Sequence, residues 1–159
     1  MKYNKTEQNG PARQVTELIA KNDRLVDLFS IDIKEAGPGK ATLTMRVGKQ
    51  HLNAAGFCHG AAIFALADIA FALAANCHGP MALALECAIN YFRPAKPGTL
   101  LTASATQLHQ GRQTGFFTVS ITDDQDRPVA MFKSTSFQIS DSESLEQVAN
   151  GTGRKGMKS

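Results

Sequence analysis

Tryptophan is absent from this chain of 159 residues, and basic residues do not alternate with aromatic ones along any segment. Lysine and arginine exceed aspartate and glutamate by only three, 17 against 14, and part of the excess lies in Arg154, Lys155 and Lys158 near the C-terminus. A nucleic-acid-binding domain usually presents a basic face, often with aromatic residues for base stacking. The sequence therefore predicts no nucleic-acid partner.

Cysteine is also scarce, and no apolar segment has the length of a membrane span. The three cysteines are an odd number scattered in apolar surroundings, which favours reduced thiols over a disulfide framework. Residues 61–75 form the apolar-type run of 15 residues, whereas a helix needs about 20 to cross a bilayer. The N-terminal MKYNKTEQNG lacks the apolar stretch of a signal peptide. Together these features predict a cytoplasmic protein without a membrane association.

The apolar run consists of alanine, isoleucine, leucine and phenylalanine around one polar residue, Asp68. Alanine and leucine are strong helix formers, and no glycine or proline interrupts the run. We therefore predict a helix from about Phe57 to Asn76, which ends before His78-Gly79-Pro80. Because a helix that is apolar on all sides is buried, this one is expected at the centre of the fold.

Asp68 requires an explanation, because an ionised carboxylate among apolar side chains costs several kcal/mol unless it is paired or hydrogen-bonded. It could reach a backbone amide or a lysine at an interface. Alternatively, it could act in an apolar cleft as a base or nucleophile. Asn53, His59 and Gly60 just upstream favour the second interpretation, since a helix N-terminus presents free N–H groups and Gly60 permits a close approach. The segment thus predicts an oxyanion donor and a base.

Strands are predicted around the helix. Residues 41–47 alternate apolar and polar side chains without a miss, which indicates a half-buried strand. Further strands are expected over residues 29–34, 81–92, 101–106, 117–121 and 129–139, joined by short polar turns. Such short connections exclude a parallel sheet, so the fold class is α+β with an antiparallel sheet.

The chain is divided into three parts by this pattern. Residues 1–22 form an N-terminal extension that is partly helical, and residues 23–139 form the domain. Residues 140–159 contain serine, glutamate, glycine and lysine with few large apolar residues, which predicts a flexible tail. Truncation of that tail should leave activity and melting temperature nearly unchanged.

Asn53, Gly56, His59 and Gly60 form the run N-x-x-G-x-x-H-G, and the helix continues as A-x-x-F-A-L-A-D-x-A-x-A-x-A-x-N. Residues 89–95 read INYFRPA, and residues 109–115 read HQGRQTG. The combination closely resembles the hotdog-fold acyl-CoA thioesterases of the phenylacetate-pathway PaaI type, over about residues 23–139. The resemblance implies a curved antiparallel sheet around a long central helix. It also implies dimers, commonly paired into tetramers, with the thioester bound between subunits.

The resemblance assigns roles to single residues. Asp68 matches the acidic catalytic residue, as water-activating base or nucleophile, and the Gly60 N–H matches the donor that polarises the thioester carbonyl. Asn53 and His59 match residues that line this site. The implied reaction is hydrolysis of an acyl-CoA to free acid and coenzyme A, with no cofactor and no metal, because the coenzyme A thioester is itself the substrate.

The chain departs from the family pattern at two positions. Ala61 stands where many members have a second glycine, and Ala84 stands where some members have a serine that helps to hold the water. Glu86, two residues on, could compensate for the missing hydroxyl or could face solvent. These departures leave open which residue besides Asp68 holds the water.

The residues that bind the substrate are predicted less directly. The candidates for the phosphates of coenzyme A are Arg93, Lys96, and Arg112, Gln113 and Thr114 between two glycines that expose backbone N–H groups. Phe64, together with Phe57 and Phe71, suggests room for an aryl or medium-chain acyl group, although phenylalanine serves equally well in a core.

The spacing of Gly60 and Asp68 restricts the site. Eight residues at about 1.5 Å each separate them by about 12 Å along one helix. A single thioester carbon cannot contact both, since reacting atoms must approach to about 3 Å. Either only one of the two residues acts, or the two come from different chains.

Other functions have weaker support in the sequence. Cys58-His59 and Cys77-His78 do not have the spacing of structural zinc ligands, and Cys58 is a weak candidate for a nucleophile paired with the adjacent His59. Cys77 and Cys87 are most simply explained as packed apolar residues. A hotdog-fold acyl-CoA hydratase or dehydratase and a non-catalytic acyl-CoA-binding protein remain as alternatives.

Overall fold

A computed structural model describes residues 10–139 of the chain. Its helices are α1 Pro11–Asn22, α2 Arg24–Leu28 and α3 Gly60–Asn76, with a turn of 3-10 helix at Lys49–His51. Its strands are β1 Ile31–Gly37, β2 Lys40–Arg46, β3 Ala82–Tyr91, β4 Leu100–Gln110, β5 Thr114–Thr122 and β6 Pro128–Gln138. The predicted tail at 140–159 lies outside the described residues, and the division of the chain at residues 22 and 23 stays a prediction.

The six strands form one antiparallel sheet in the order β1-β2-β4-β5-β6-β3. Tight hairpins connect β4, β5 and β6, so these strands are neighbours both in the chain and in the sheet. The strand that follows the long helix, β3, instead lies at the far edge and pairs only with β6 among the described strands. The predicted α+β class with an antiparallel sheet is confirmed.

The central helix α3 packs across one face of the sheet. Leu66, Ala70 and Leu73 are completely buried, and the Phe71 ring meets the Phe117 ring edge to face at 5.2 Å between centroids. Full burial of a leucine or phenylalanine side chain stabilises the fold by about 1.5–3 kcal/mol. The helix begins three residues later than Phe57 because the residues before it form a loop that is closed by the pairing of Leu52 with Cys58.

One stripe of α3 is left incompletely covered. Of its 17 residues only Gly60, Ala61, Phe64, Asp68 and Ala72 are not buried. Their spacing of three and four residues places the last four on one face of the helix. Asp68 therefore lies on the single face of the central helix that its own chain does not bury.

The two edges of the sheet differ in protection. The β1 edge is a strand of seven residues that carries Asp32, Lys34 and Glu35, and such charges discourage pairing with another strand. The β3 edge has ten residues with Glu86 as its single charge, and it exposes Leu83 and Leu85. A long apolar edge of this kind is a template for pairing with another chain.

Asn76 joins the end of α3 to the beginning of β3. Its side chain is buried and donates to the carbonyl oxygens of Ala72 at 3.0 Å and Ala82 at 3.1 Å. Its Oδ1 accepts the Ala82 N–H at 3.0 Å. These bonds fix where β3 starts relative to the last turn of the helix.

His51 anchors the loop that leads into α3. Its Nδ1 accepts the Gly48 N–H at 2.8 Å, so the neutral ring carries its proton on Nε2 and donates it to the Phe29 carbonyl oxygen at 3.1 Å. Burial lowers the pKa of the ring, against a smaller opposing effect of the Phe29 carbonyl. The backbone carbonyl of His51 accepts the His59 N–H at 2.7 Å, which connects this anchor to the first residue of the site.

Candidate active site

The start of α3 presents a free backbone donor. His59 is the N-cap, and its Nδ1 accepts the Ala61 N–H at 3.0 Å. The His59 carbonyl accepts the N–H groups of Ala62 and Ile63. The Gly60 N–H, which lies between His59 and Ala61 in the chain, has no acceptor among residues 10–139. It is therefore available to an external oxygen at the positive end of the helix dipole.

Gly60 is also packed too closely for a side chain. The Tyr91 hydroxyl donates to the Gly60 carbonyl at 2.9 Å, and a Cβ built on Gly60 would lie 3.1 Å from the Tyr91 ring and hydroxyl. A substitution here must displace Tyr91 or the helix start. Sequence reasoning found Gly60 but gave no indication of its contact with Tyr91.

Asn53 orders the loop that precedes His59. Its Oδ1 accepts the backbone N–H groups of Ala55 at 2.9 Å and Phe57 at 3.2 Å, and its own N–H donates to the Phe57 carbonyl at 2.8 Å. Gly56 completes the loop with a φ of 80°, which favours glycine. The side-chain oxygen of Asn53 is thus hydrogen-bonded within the loop, which leaves its side-chain amide nitrogen as the group that could donate to a ligand.

Asp68 is half-buried on the uncovered stripe of α3. Burial raises the pKa of its carboxyl, and the more distant charge of Asp23 raises it further, whereas a hydrogen bond from Cys87 lowers it. The Cys87 Sγ lies 3.7 Å from Asp68 Oδ1. No lysine or arginine among the described residues forms an ion pair with Asp68. The carboxylate is thus half-buried with a thiol as its neighbour and without a cationic partner, an environment in which active-site carboxylates are often found.

Glu86, which could compensate for the hydroxyl missing at Ala84 or could face solvent, lies on the outer face of the sheet in this subunit. Simple alternation places Glu86 on the same face as Ala84, but a bulge at Leu85 reverses the alternation, so that Ala84 pairs with Ser136 and Glu86 pairs with Thr135. The side chain of Glu86 is exposed and lines a groove on the face of the sheet away from α3. Of the two possibilities raised by the sequence, Glu86 faces solvent.

The candidate phosphate-binding residues fall into two separate groups. Arg93 and Lys96 precede β4 and lie near the start of α3, since the Cys58 N–H donates to the Ala95 carbonyl at 2.9 Å. Arg112 and Gln113 form the exposed turn at the other end of β4, and Thr114 begins β5. The 11 residues of β4 separate the groups by roughly 35 Å. One subunit does not bring them together.

Phe64 packs against the core of this subunit, whereas Arg93 has a buried donor without a partner among the described residues. The Phe64 ring packs edge to face on Phe132 at 5.3 Å and is partly buried against the core, so the packing of this subunit accounts for it. The Arg93 Nε is buried without a hydrogen-bond partner within the described part of the chain. An unpaired buried donor of this kind costs free energy until a ligand or another chain supplies an acceptor.

The cysteine thiols are poorly suited to nucleophilic attack. All three are free thiols, and burial raises the pKa of Cys58 and of Cys77 to about 11. A thiol with such a pKa is a poor nucleophile near neutral pH. Within residues 10–139 no group of three or more His, Cys, Asp or Glu side chains could hold a metal ion. Cys77 is buried as predicted, whereas Cys87 is half-buried and its Sγ lies against Asp68 Oδ1.

Comparison with known proteins identifies the family of the chain. The thioesterase superfamily model matches residues 55–130. Acyl-coenzyme A thioesterase PaaI of Escherichia coli K12 is 41% identical over 128 residues, which cover 80% of this chain and 91% of that protein. The solved structure of E. coli PaaI, from the phenylacetic acid degradation operon, superposes with a TM-score of 0.79 at 40% identity over 82% of this chain and 94% of that chain. The chain belongs to the PaaI-type thioesterases of the hotdog fold.

As a PaaI-type thioesterase, the protein is a thioester hydrolase with the hotdog architecture, as the motif resemblance predicts. A thioesterase of Streptococcus pneumoniae TIGR4 solved with coenzyme A has a TM-score of 0.66 at 30% identity, over 69% of this chain and 88% of that one. Among residues 10–139 of the present chain, none of the helices combines the length and apolar character needed to cross a bilayer.

Proposed function

We propose that this thioesterase hydrolyses aryl- or medium-chain acyl-CoA to the free acid and coenzyme A, and that Asp68 and Gly60 perform the chemistry. The observation that carries the proposal is a half-buried carboxylate without an ion-pair partner on the one uncovered face of α3, with an unused N–H at the start of the same helix. The names of the PaaI relative and of the coenzyme A-bound S. pneumoniae protein support the substrate class.

The chemistry needs little more than these two groups. Asp68 removes a proton from a water that adds to the thioester carbon, and the C–S bond breaks with its electrons on the thiolate, which takes up a proton. Alternatively, the Asp68 carboxylate attacks that carbon itself and displaces the thiolate, and water then hydrolyses the resulting anhydride to release the free acid and regenerate Asp68. The Gly60 N–H stabilises the developing oxyanion, and one such donor is worth about 2.7–4 kcal/mol. Assistance by a base contributes typically ~10²–10⁴-fold. His59 stabilises the helix start that presents the donor, and Asn53 orders the loop before it.

The active site is proposed to lie between two subunits. Gly60 and Asp68 occupy one helix about 12 Å apart, so one thioester can contact both only if each chain of a pair provides one of them. The uncovered stripe of α3 and the unprotected edge of β3 are both consistent with a second copy beside them. The exposed side chains of Leu108, Phe116 and Met131 lie on the outer face of the sheet, where we propose that two dimers associate into a tetramer.

The edge pairing gives a testable prediction. Lysine at Leu83 and Leu85, which are 48% and 62% exposed, should prevent β3 from pairing, because the charges would be buried against the partner. Light scattering should show about four chains for the wild type and a smaller particle without activity for this double variant. Lysine at Leu25 and Leu28, which are 39% and 60% exposed on α2, is the matched control and should change neither mass nor rate. An active monomer would contradict the proposal.

Coenzyme A is proposed to contact Arg112, Gln113 and Thr114, whose turn is exposed and flanked by glycines. Arg93 and Lys96 lie by Gly60 at the opposite end of β4. A single coenzyme A can use residues of both groups only where two subunits meet. The reduced state of all three cysteines further supports a cytoplasmic location.

The direct test is a panel of acyl-CoA substrates, with release of the coenzyme A thiol as the readout. We expect turnover that is fastest for aryl or medium-chain acyl groups such as phenylacetyl-CoA or hexanoyl-CoA. A hydratase would instead add water to an enoyl-CoA without thiol release. A non-catalytic binder would retain affinity and show no turnover with any member of the panel, and either result would refute the proposed reaction.

A further inference from the structure

We propose that Cys87 is a positioning residue of this thioesterase, whose thiol orients the Asp68 carboxylate and favours its ionised form. The proposal rests on the proposed catalytic role of Asp68. It deepens that role by naming a side chain of the same subunit that contacts the carboxylate. Cys87 faces α3 because the bulge at Leu85 turns the second half of β3 over.

The contacts form a short chain of hydrogen bonds that ends at Asp68. The Ser134 hydroxyl, which is buried, lies 2.9 Å from the Glu86 carbonyl oxygen and 3.3 Å from the Cys87 Sγ. The Cys87 Sγ lies 3.7 Å from Asp68 Oδ1. Ser134 is on β6, Cys87 on β3 and Asp68 on α3, so three separate elements meet at the carboxylate.

The number of hydrogens available to donate fixes the direction of each hydrogen bond in this series. Ser134 has one hydroxyl hydrogen, and the Glu86 carbonyl can only accept, so Ser134 donates there and can only accept from Cys87. The thiol also has one hydrogen, with two acceptors in reach. When Asp68 is ionised, the thiol donates to the carboxylate, since a hydrogen bond to a charged acceptor is the stronger one. When Asp68 is protonated, the thiol turns to Ser134.

The electrostatics of the surrounding groups agree with this role. Burial raises the pKa of Asp68, and the charge of Asp23 at the start of α2 adds to this, whereas the thiol hydrogen bond opposes both. Burial raises the pKa of Cys87 and the contact with Ser134 opposes it, but the carboxylates of Asp68 and Glu86 add to the effect of burial, so the pKa is raised and the thiol keeps the hydrogen that it donates. The carboxylate thus remains available as a base at a lower pH than burial alone would allow.

The test is the pH dependence of kcat/KM, measured with phenylacetyl-CoA and with hexanoyl-CoA. The decrease of kcat/KM at low pH, here called the acid limb, reports the pKa of the essential base in the free enzyme. Cys87→Ala removes the donor and should raise the apparent pKa of that limb by about half to one unit. Cys87→Ser supplies a stronger donor and should return the limb to the wild-type position or below it. Ser134→Ala removes the alternative acceptor and should shift the limb downward. Cys77→Ala, a buried thiol remote from Asp68, is the control and should not move it.

Opposite shifts in Cys87→Ala and Ser134→Ala cannot arise from a general loss of stability. A Cys87→Ala limb at the wild-type position, or shifts of one sign in both variants, would overturn the proposal. Titration of the Asp68 carboxyl carbon by NMR, with the resonance assigned by its absence in Asp68→Asn, gives the pKa without reference to activity. If Asp68→Asn keeps its rate, the proposed function fails. If Asp68→Asn is inactive but the NMR pKa is the same in wild type and Cys87→Ala, only the role of Cys87 fails.

Discussion

Asp68→Asn should lower kcat at least ~100-fold while acyl-CoA binding is retained. The amide has nearly the same shape as the carboxylate but can act neither as a base nor as a nucleophile, and loss of a general base typically costs ~10²–10⁴-fold. Because burial raises the pKa of Asp68, the ionised carboxylate is disfavoured in the folded protein, and its replacement should not lower the melting temperature. Loss of rate would then reflect chemistry rather than unfolding.

The measurement is steady-state kinetics of thiol release, accompanied by calorimetric titration with the substrate and a thermal melt. Asp124→Asn, in an exposed turn, removes one carboxylate of the same type and should leave all three quantities unchanged. A kcat within tenfold of the wild type for Asp68→Asn would show that the carboxylate is not the reacting group. In that case Gly60 alone would remain of the two proposed catalytic groups.

Mixed dimers should reveal whether the site is shared. Gly60→Val places a branched side chain where even a Cβ lies 3.1 Å from Tyr91, and it obstructs the approach to the free N–H, so that variant should be inactive by itself. Mixed with Asp68→Asn chains, each hybrid dimer contains one site with both intact groups. Hybrids can be purified through a different tag on each chain. They should recover about half of the wild-type activity per dimer, because one of their two sites is intact.

The reciprocal mixture provides the control. Chains that carry both Asp68→Asn and Gly60→Val are combined with wild-type chains. If the site is shared, each of the two sites in such a hybrid has one damaged group, and the hybrid should be inactive. If each chain holds its own site, the wild-type chain keeps its activity and this hybrid is half active, whereas the first mixture restores nothing. The two mechanisms therefore predict opposite results for the two mixtures.

Much of this arrangement could be predicted because it depends on local rules. The composition of residues 61–75 predicts a buried helix, and the fixed rise of a helix separates Gly60 from Asp68 without any knowledge of the fold. Only the start was misplaced, at Phe57, because Asn53 binds the Phe57 N–H into a closed loop and His59 caps the helix two residues later. Alternation likewise located the strands to within a few residues of their ends, except for the early part of β5 and the late part of β4.

The contact of Cys87 with Asp68 could not be predicted in the same way. It depends on the pairing of β3 with β6, which are separated in the chain by two other strands, and on a bulge that no residue pattern announces. Period-two counting from Ala84 puts Glu86 on the helix side and Cys87 on the outside, which is the reverse of the structure. The separation of Arg112 from Lys96 also follows from the length and direction of β4 in the sheet.

The hydrogen bonds between Asn76 and Ala82 fix the number of residues that connect α3 to the edge strand β3. A connection that is held by hydrogen bonds at both ends cannot accommodate an added residue in the way that a flexible loop does. An insertion between these two positions would either break these hydrogen bonds or shift β3 by one place, and a shift by one place exchanges its two faces. Cys87 would then turn away from Asp68, and Glu86 would turn toward it. The gap between residues 76 and 82 is thus a poor place for insertions.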